Sequence, residues 1–154
     1  MTEHDLGTRI IALTPTLYRV SCSLLSTEAD REDAVQAAIE KAWNKVQSLK
    51  DDAKLKPWMV RILINECHNI GRRWKREIPA KVLPEAITQD DDEARFLHDA
   101  LLLLSPQVRI PIVLHYMEGF SAGEIAFMLH CPRGTVLSRM DRGRKQLKTL
   151  LSKE

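Results

Sequence analysis

The chain has 154 residues, 44% of them apolar and 29% charged. That length suits one large domain or two small ones, and the composition excludes a disordered tail or a collagen-like repeat. The 23 basic and 21 acidic residues sum to only +2, and no run approaches the ~18 consecutive apolar residues of a membrane span.

At the N-terminus Glu3 and Asp5 stand where an export signal would be basic, so a cytoplasmic location without membrane insertion is expected. The segment from Thr8 to Leu25 is amphipathic and contains Pro15, which predicts either a bend or two helices. In residues 33–48, Val35, Ala38, Ile39, Ala42, Trp43 and Val46 recur at helical steps and mark one buried face. Ser26 or Thr27 is the expected cap of that helix. A polar stretch from Ser48 to Lys56 follows, and Pro57 then stands where a first helical turn tolerates it. Trp58, Ile62 and Ile70 continue a helix expected to end near Gly71.

Residues 77–94 carry Pro79, Pro84 and an acidic cluster, and are read as a flexible linker. Helices are expected over Arg95–Leu104, Pro106–Met117, Ser121–Leu129 and Pro132–Leu151. The fold class is therefore all-α, two small helical domains joined by that linker: residues 1–76 and residues 95–154. Each core should be modest.

The bland net charge hides segregation. Residues 28–33 hold four acids against one base, and residues 89–93 are Gln-Asp-Asp-Asp-Glu. Arg72, Arg73, Lys75, Arg76 and Lys81 oppose Glu77 alone, and seven bases against two acids fill residues 132–154. Two basic patches separated by an acidic spacer suit a protein that holds a polyanion at two places.

In the second half, Ser121-Ala-Gly-Glu124 has capping-box spacing. His130-Cys131-Pro132 breaks the chain before a last helix whose inward stripe is Val136, Met140, Gly143, Leu147 and Leu150. Its other face carries Arg133, Thr135, Ser138, Arg139, Arg142 and Lys145. This is a helix-turn-helix whose second helix can enter a major groove, with arginine pairing to guanine and hydroxyls to bases or phosphates.

Chemistry is otherwise unsupported. Cys22, Cys67 and Cys131 are odd in number and far from zinc spacing, which predicts reduced thiols. Adjacent His130 and Cys131, even with His115, lack a fourth ligand. No Gly-rich phosphate loop, nucleophile elbow or carboxylate pair occurs. No catalytic residue, metal or cofactor is expected. Trp43 and Trp58 are read as core, whereas Trp74, set among cations, suits either stacking on nucleic acid or packing under the linker.

These residues resemble a known family. Leu104-Ser-Pro-Gln-Val-Arg109, Glu124-Ile-Ala126, Gly134-Thr-Val-Leu-Ser-Arg139 and Arg142-Gly-Arg144 look like the minus-thirty-five-binding domain of extracytoplasmic-function sigma factors of bacterial RNA polymerase. Asp33-Ala-Val-Gln36 with Ala42-Trp43 resembles the family's polymerase-binding helix. Trp58-Met-Val-Arg-Ile62, Asn65 and Arg72-Arg73-Trp74-Lys75-Arg76 resemble its minus-ten helix. The order of the two blocks is the specific part.

The resemblance implies a sigma factor that binds core RNA polymerase through Asp33, Gln36 and Glu40. It implies that Asn65, Asn69, Arg72, Arg73, Trp74, Lys75 and Arg76 lie on minus-ten DNA, and that Leu49 to Lys56 captures a flipped base of the melted non-template strand. Double-stranded promoter DNA and an anti-sigma protein are the other implied partners. Some positions depart from the family: Ala37 replaces an acid, Asn69 an aspartate, and the loop lacks an aromatic. Pro111 is expected to kink its helix at ~3 kcal/mol, and Gly143, where alanine is usual, to loosen the last helix by up to ~1 kcal/mol. A stand-alone helix-turn-helix regulator dimerising through its first half, and a helical module bound by a regulatory protein, are the competing readings.

Overall fold

The computed structural model describes residues 3–77 and 92–152, with side chains detailed at residues 4–72 and 95–152. The described residues form eight α-helices and no strand. The heart of the expected linker, with Pro79, Pro84, Asp90 and Asp91, lies outside them.

Helices α1 (Glu3–Ala12) and α2 (Thr14–Cys22) divide where Pro15 requires it, with the proline in the first turn of α2. Helix α3 (Glu28–Lys45) begins at Thr27, whose Oγ1 accepts from the Asp30 amide at 3.2 Å. Glu28 and Asp30 fall in its first turn, so part of the acidic cluster complements the helix dipole. Two 3₁₀ turns, Val46–Ser48 and Asp52–Lys54, carry the chain into α4 (Leu55–Glu77).

Helix α4 corrects one expectation, because it runs through Gly71 to Glu77 instead of ending there. Gly71 needs no left-handed backbone; among the described residues only His130 (φ 56°) and Gly119 (φ 78°) adopt one. A glycine inside a helix costs only ~1 kcal/mol, which does not stop a helix anchored by packing. Val60, Leu63, Ile64, Cys67 and Ile70 supply that packing.

Beyond the linker come α5 (Asp92–Leu103), α6 (Pro106–Ile112), α7 (Ala122–Leu129) and α8 (Arg133–Leu151). Asp92 and Glu93, read as linker from their charge, belong to α5. Buried Pro111 does not end α6; the chain widens instead into a π-turn at Val113–Met117. The proline has no N–H to give, and a π-turn is a common local adjustment to such a lost bond.

The core is one body. Buried side chains form a continuous cluster from Ile10, Leu17 and Val20 through Met59, Leu63 and Ile64 to Leu114, Ile125, Met128 and Met140. Helix α4 packs against both α3 and α7, so the two helical halves dock on one another. Trp43 departs from its expected core place: 43% exposed, its ring edge lies 3.3 Å from where a Cβ on Gly7 of α1 would sit.

Candidate nucleic-acid interface

The helix-turn-helix forms from local instructions. Ser121 Oγ accepts from the Glu124 amide at 3.1 Å, and Glu124 Oε1 accepts from the Ser121 amide at 2.9 Å, completing the capping box. At the other end of α7, His130 takes the left-handed conformation and closes the helix, with Pro132 then starting α8. Val136, Met140 and Gly143 are buried and Leu147 and Leu150 half-buried, so the inward stripe lies where its spacing demands.

The opposite face of α8 is open. Arg133, Ser138, Arg142 and Lys145 are exposed, and Thr135 and Arg139 half-buried. Lys145 Nζ lies 3.0 Å from Asp141 Oδ2, one turn away, and Arg144 donates to the Tyr116 hydroxyl at 2.9 Å. Arg139 and Arg142 have no such carboxylate among the described residues, which leaves them the stronger candidates for an outside anion.

On α4, Asn65, Asn69 and Arg72 are exposed, and Arg72 donates to the Asn69 side chain one turn back. Arg73, Trp74, Lys75 and Arg76 continue the helix, with side chains outside the described residues. The segment before α4 is tethered: Arg9 of α1 donates to the Asp52 carbonyl at 3.0 Å, and Asp51 caps the Ala53 amide at 3.1 Å. Leu55, at the end of that segment, is fully buried and fixes where it joins the helix.

Asp33, Gln36 and Glu40 share the exposed side of α3. Beside them a groove of about 490 Å³ runs between α2 and α3, floored by Tyr18, Val35 and Ile39 and edged by Glu32 and Glu40. An apolar floor with an acidic edge fits an amphipathic basic helix. From Lys41 on the same helix an ion pair reaches Glu66, a mostly buried acid of α4, and so fixes α3 against α4.

The Sigma-70 region 2 family matches residues 10–77, and the Sigma-70, region 4 family residues 96–147. An ECF RNA polymerase sigma factor, SigM of Mycobacterium tuberculosis, is 34% identical over 139 residues, covering 88% of this chain and 71% of that protein. The chain belongs to the extracytoplasmic-function sigma factors. The RNA polymerase sigma-E factor of Streptomyces antibioticus is similar at 28% identity, over 86% of this chain and 76% of its own. Among solved structures, the sigma factor RpoE in complex with the anti-sigma factor NepR, from Bartonella quintana, superposes with a TM-score of 0.85 at 29% identity, covering 97% of this chain and 98% of that one. CnrH, in complex with the cytosolic domain of CnrY, shares the fold at a TM-score of 0.74 and 24% identity, over 97% of this chain and 89% of that one.

In this sigma factor the contacts that sequence reasoning missed lie between regions 2 and 4. Arg19 of α2 grips Glu118, just before α7, with three contacts: Nε to Oε2 at 3.1 Å, Nε to Oε1 at 3.3 Å and Nη2 to Oε1 at 2.9 Å. Lys56 and Arg61 of α4 lie over the rings of Phe120 and Phe127, at 5.3 and 4.7 Å from the centroids. No local signal marks such partners. Arg109, part of the family-like run, is structural in this arrangement, donating to the carbonyls of Leu102 and Leu104 at 3.2 and 3.3 Å and so closing α5.

No group of three or more His, Cys, Asp or Glu among the described residues could hold a metal ion, and none of the described helices is long and apolar enough to cross a membrane. Cys67 is buried, and that burial, reinforced by Glu66, pushes its thiol up to about 12. Burial also raises the Cys22 thiol, with Arg31 opposing. Since the thiolate is the nucleophile, only half-buried Cys131 should react with a maleimide near pH 7.5. Mass spectrometry should count one adduct on the native sigma factor and three in denaturant. A modified Cys67 in the native chain would contradict this packing.

Proposed function

We propose that this sigma factor binds core RNA polymerase through Asp33, Gln36 and Glu40 of α3. It reads a minus-ten element with α4 and a minus-thirty-five element with α8, and assists DNA opening for transcription initiation. On α4 the contacts are Asn65, Asn69, Arg72, Arg73, Trp74, Lys75 and Arg76. Those on α8 are Arg133, Thr135, Ser138, Arg139, Arg142 and Lys145. The domain limits are residues 1–76 and 95–154, with 77–94 between. The chain works in the cytoplasm and is no enzyme; the chemistry is the polymerase's. An anti-sigma protein is a further partner, by similarity to the relative solved with NepR.

The observation that carries the reading is the open cationic face of α8, at the end of a region 4 helix-turn-helix that follows region 2 in the same chain. Arginines and hydroxyls on that face suit base edges and phosphates of a major groove. The acid-edged groove beside α3 suits a basic helical partner.

Run-off transcription with purified core polymerase on a promoter library tests it. The wild-type chain should start transcripts from a discrete promoter set. Asp33→Ala with Gln36→Ala should lose most co-purification with core polymerase while keeping wild-type helicity. Tight promoter binding by the isolated chain, with no polymerase association, would favour the stand-alone regulator.

A further inference from the structure

We propose that Leu137 and Asp141 of α8 set the base preference of the upstream element. Leu137 packs on a thymine methyl, and Asp141 accepts from the exocyclic amine of a cytosine about two base pairs away. The inference rests on α8 being the helix that enters the groove. It adds an aliphatic side chain and an acid to a face described so far by its cations and hydroxyls.

Position on the helix comes first. At about 3.6 residues per turn, Leu137, Ser138, Asp141 and Arg142 form one contiguous patch. All four are exposed, and the buried stripe of Val136, Met140 and Gly143 lies on the other side of the helix. Arg139 is half-buried, on the flank of this patch and not at its centre. In a helix-turn-helix the residues towards the start of the second helix meet base edges, and Leu137 stands one turn into α8. The side chains best placed over the bases therefore include a leucine and an aspartate.

Leu137 is 39% exposed among polar neighbours: Arg133 one turn back, Ser138 beside it and Asp141 one turn on. It can make no hydrogen bond, so only an apolar group on the DNA gains from meeting it. On the major-groove edges of the bases that group is the C5 methyl of thymine.

Asp141 is the less expected member, since a bare carboxylate is repelled by phosphates. Here its charge is offset. Lys145 Nζ lies 3.0 Å from Oδ2 and Arg144 Nη2 3.8 Å from Oδ1, and Arg144 is itself tied to the Tyr116 hydroxyl at 2.9 Å. The side chain is still 53% exposed, and its two oxygens have about four acceptor sites, so two cations do not exhaust it. An acceptor-only group discriminates sharply between bases. Guanine and thymine present acceptors in the major groove, and adenine sets N7 beside its amine; cytosine alone presents a donor without an acceptor. Helix rise separates Leu137 from Asp141 by about 6 Å, a little under two base-pair steps of about 3.4 Å. That rise gives the spacing of the two bases.

The test is selection of holoenzyme-bound DNA from a promoter pool with a randomised upstream element, followed by sequencing. Wild type should enrich a thymine and a cytosine about two base pairs apart. Asp141→Asn should replace that cytosine by adenine, which an amide pairs through N6 and N7, and leave the thymine in place. Leu137→Gln, a helix-compatible change at an exposed position, should lose the thymine and keep the cytosine. A second probe needs no variant: uracil in place of that thymine removes only the methyl, and should weaken wild type roughly fourfold. The same DNA should leave Leu137→Gln unaffected. Wild-type base preferences in both variants, or indifference of wild type to uracil, would overturn the proposal. Should no holoenzyme form, the promoter-directing role fails on its own, and the same pool bound to the isolated chain judges the two residues. An isolated chain that then enriches no sequence overturns the proposal as well.

Discussion

Replacing Arg139 and Arg142 together with alanine should abolish protection of the upstream element in a footprint with polymerase while leaving the fold intact. Each arginine, if it reads a base, contributes ~1 to 3 kcal/mol, so either single variant should lose roughly 5- to 150-fold in affinity. Neither side chain packs in the core: Arg142 is exposed, Arg139 half-buried, and the stripe beneath them is Val136, Met140 and Gly143. Thermal stability should therefore move little. Lys145 supplies the contrast. Its ammonium is already paired with Asp141 at 3.0 Å, so Lys145→Ala should weaken binding modestly on all sequences and lower the salt slope by about one. A footprint unchanged in the double arginine variant would remove α8 as the reading helix.

The same contrast explains which parts of the molecule were legible in the sequence. The helix-turn-helix could be read because its instructions are local: Ser121 and Glu124 are three residues apart, and the break before Pro132 is written in adjacent residues. Thr27 and Pro15 mark helix starts for the same reason. Gly71 misled because a glycine stops a helix only where the backbone turns left-handed, and that depends on packing further along. Trp43 misled because periodicity names a face without saying how wide the covering helix is; α1 reaches only its edge. The seam between the halves was invisible. Arg19 and Glu118 are 99 residues apart, and nothing about an exposed-looking arginine or glutamate announces a partner at that distance. The groove beside α3 was half legible, since Gln36 and Glu40 were found from resemblance but Tyr18 and Pro15, which wall it from α2, were not.

Gly143 is where a local rule and the packing give opposite answers. As a glycine within α8 it should weaken the helix, and alanine should gain up to ~1 kcal/mol. The structure reverses the expectation. A Cβ built on Gly143 would lie 2.8 Å from Cγ1 of both Val108 and Ile112, and 3.1 Å from Ile112 Cδ1. Both neighbours are β-branched, fixed at χ1 and buried on α6, so they have little freedom to retreat. Overpacking of this kind costs ~1 to 3 kcal/mol, which outweighs the propensity gain. Gly143→Ala should thus destabilise by about 1 kcal/mol and Gly143→Val by about 3 kcal/mol, read as lower urea midpoints at unchanged slope. Because α8 is seated on α6 at this contact, the valine variant should also lose affinity for the upstream element without any change to the residues proposed to face DNA. Val108→Ala in the Gly143→Ala background should recover part of the loss, giving a coupling of at least ~0.5 kcal/mol in the double-mutant cycle. An alanine variant more stable than wild type would mean that α6 and α8 do not approach closely here, and that the glycine merely weakens the helix.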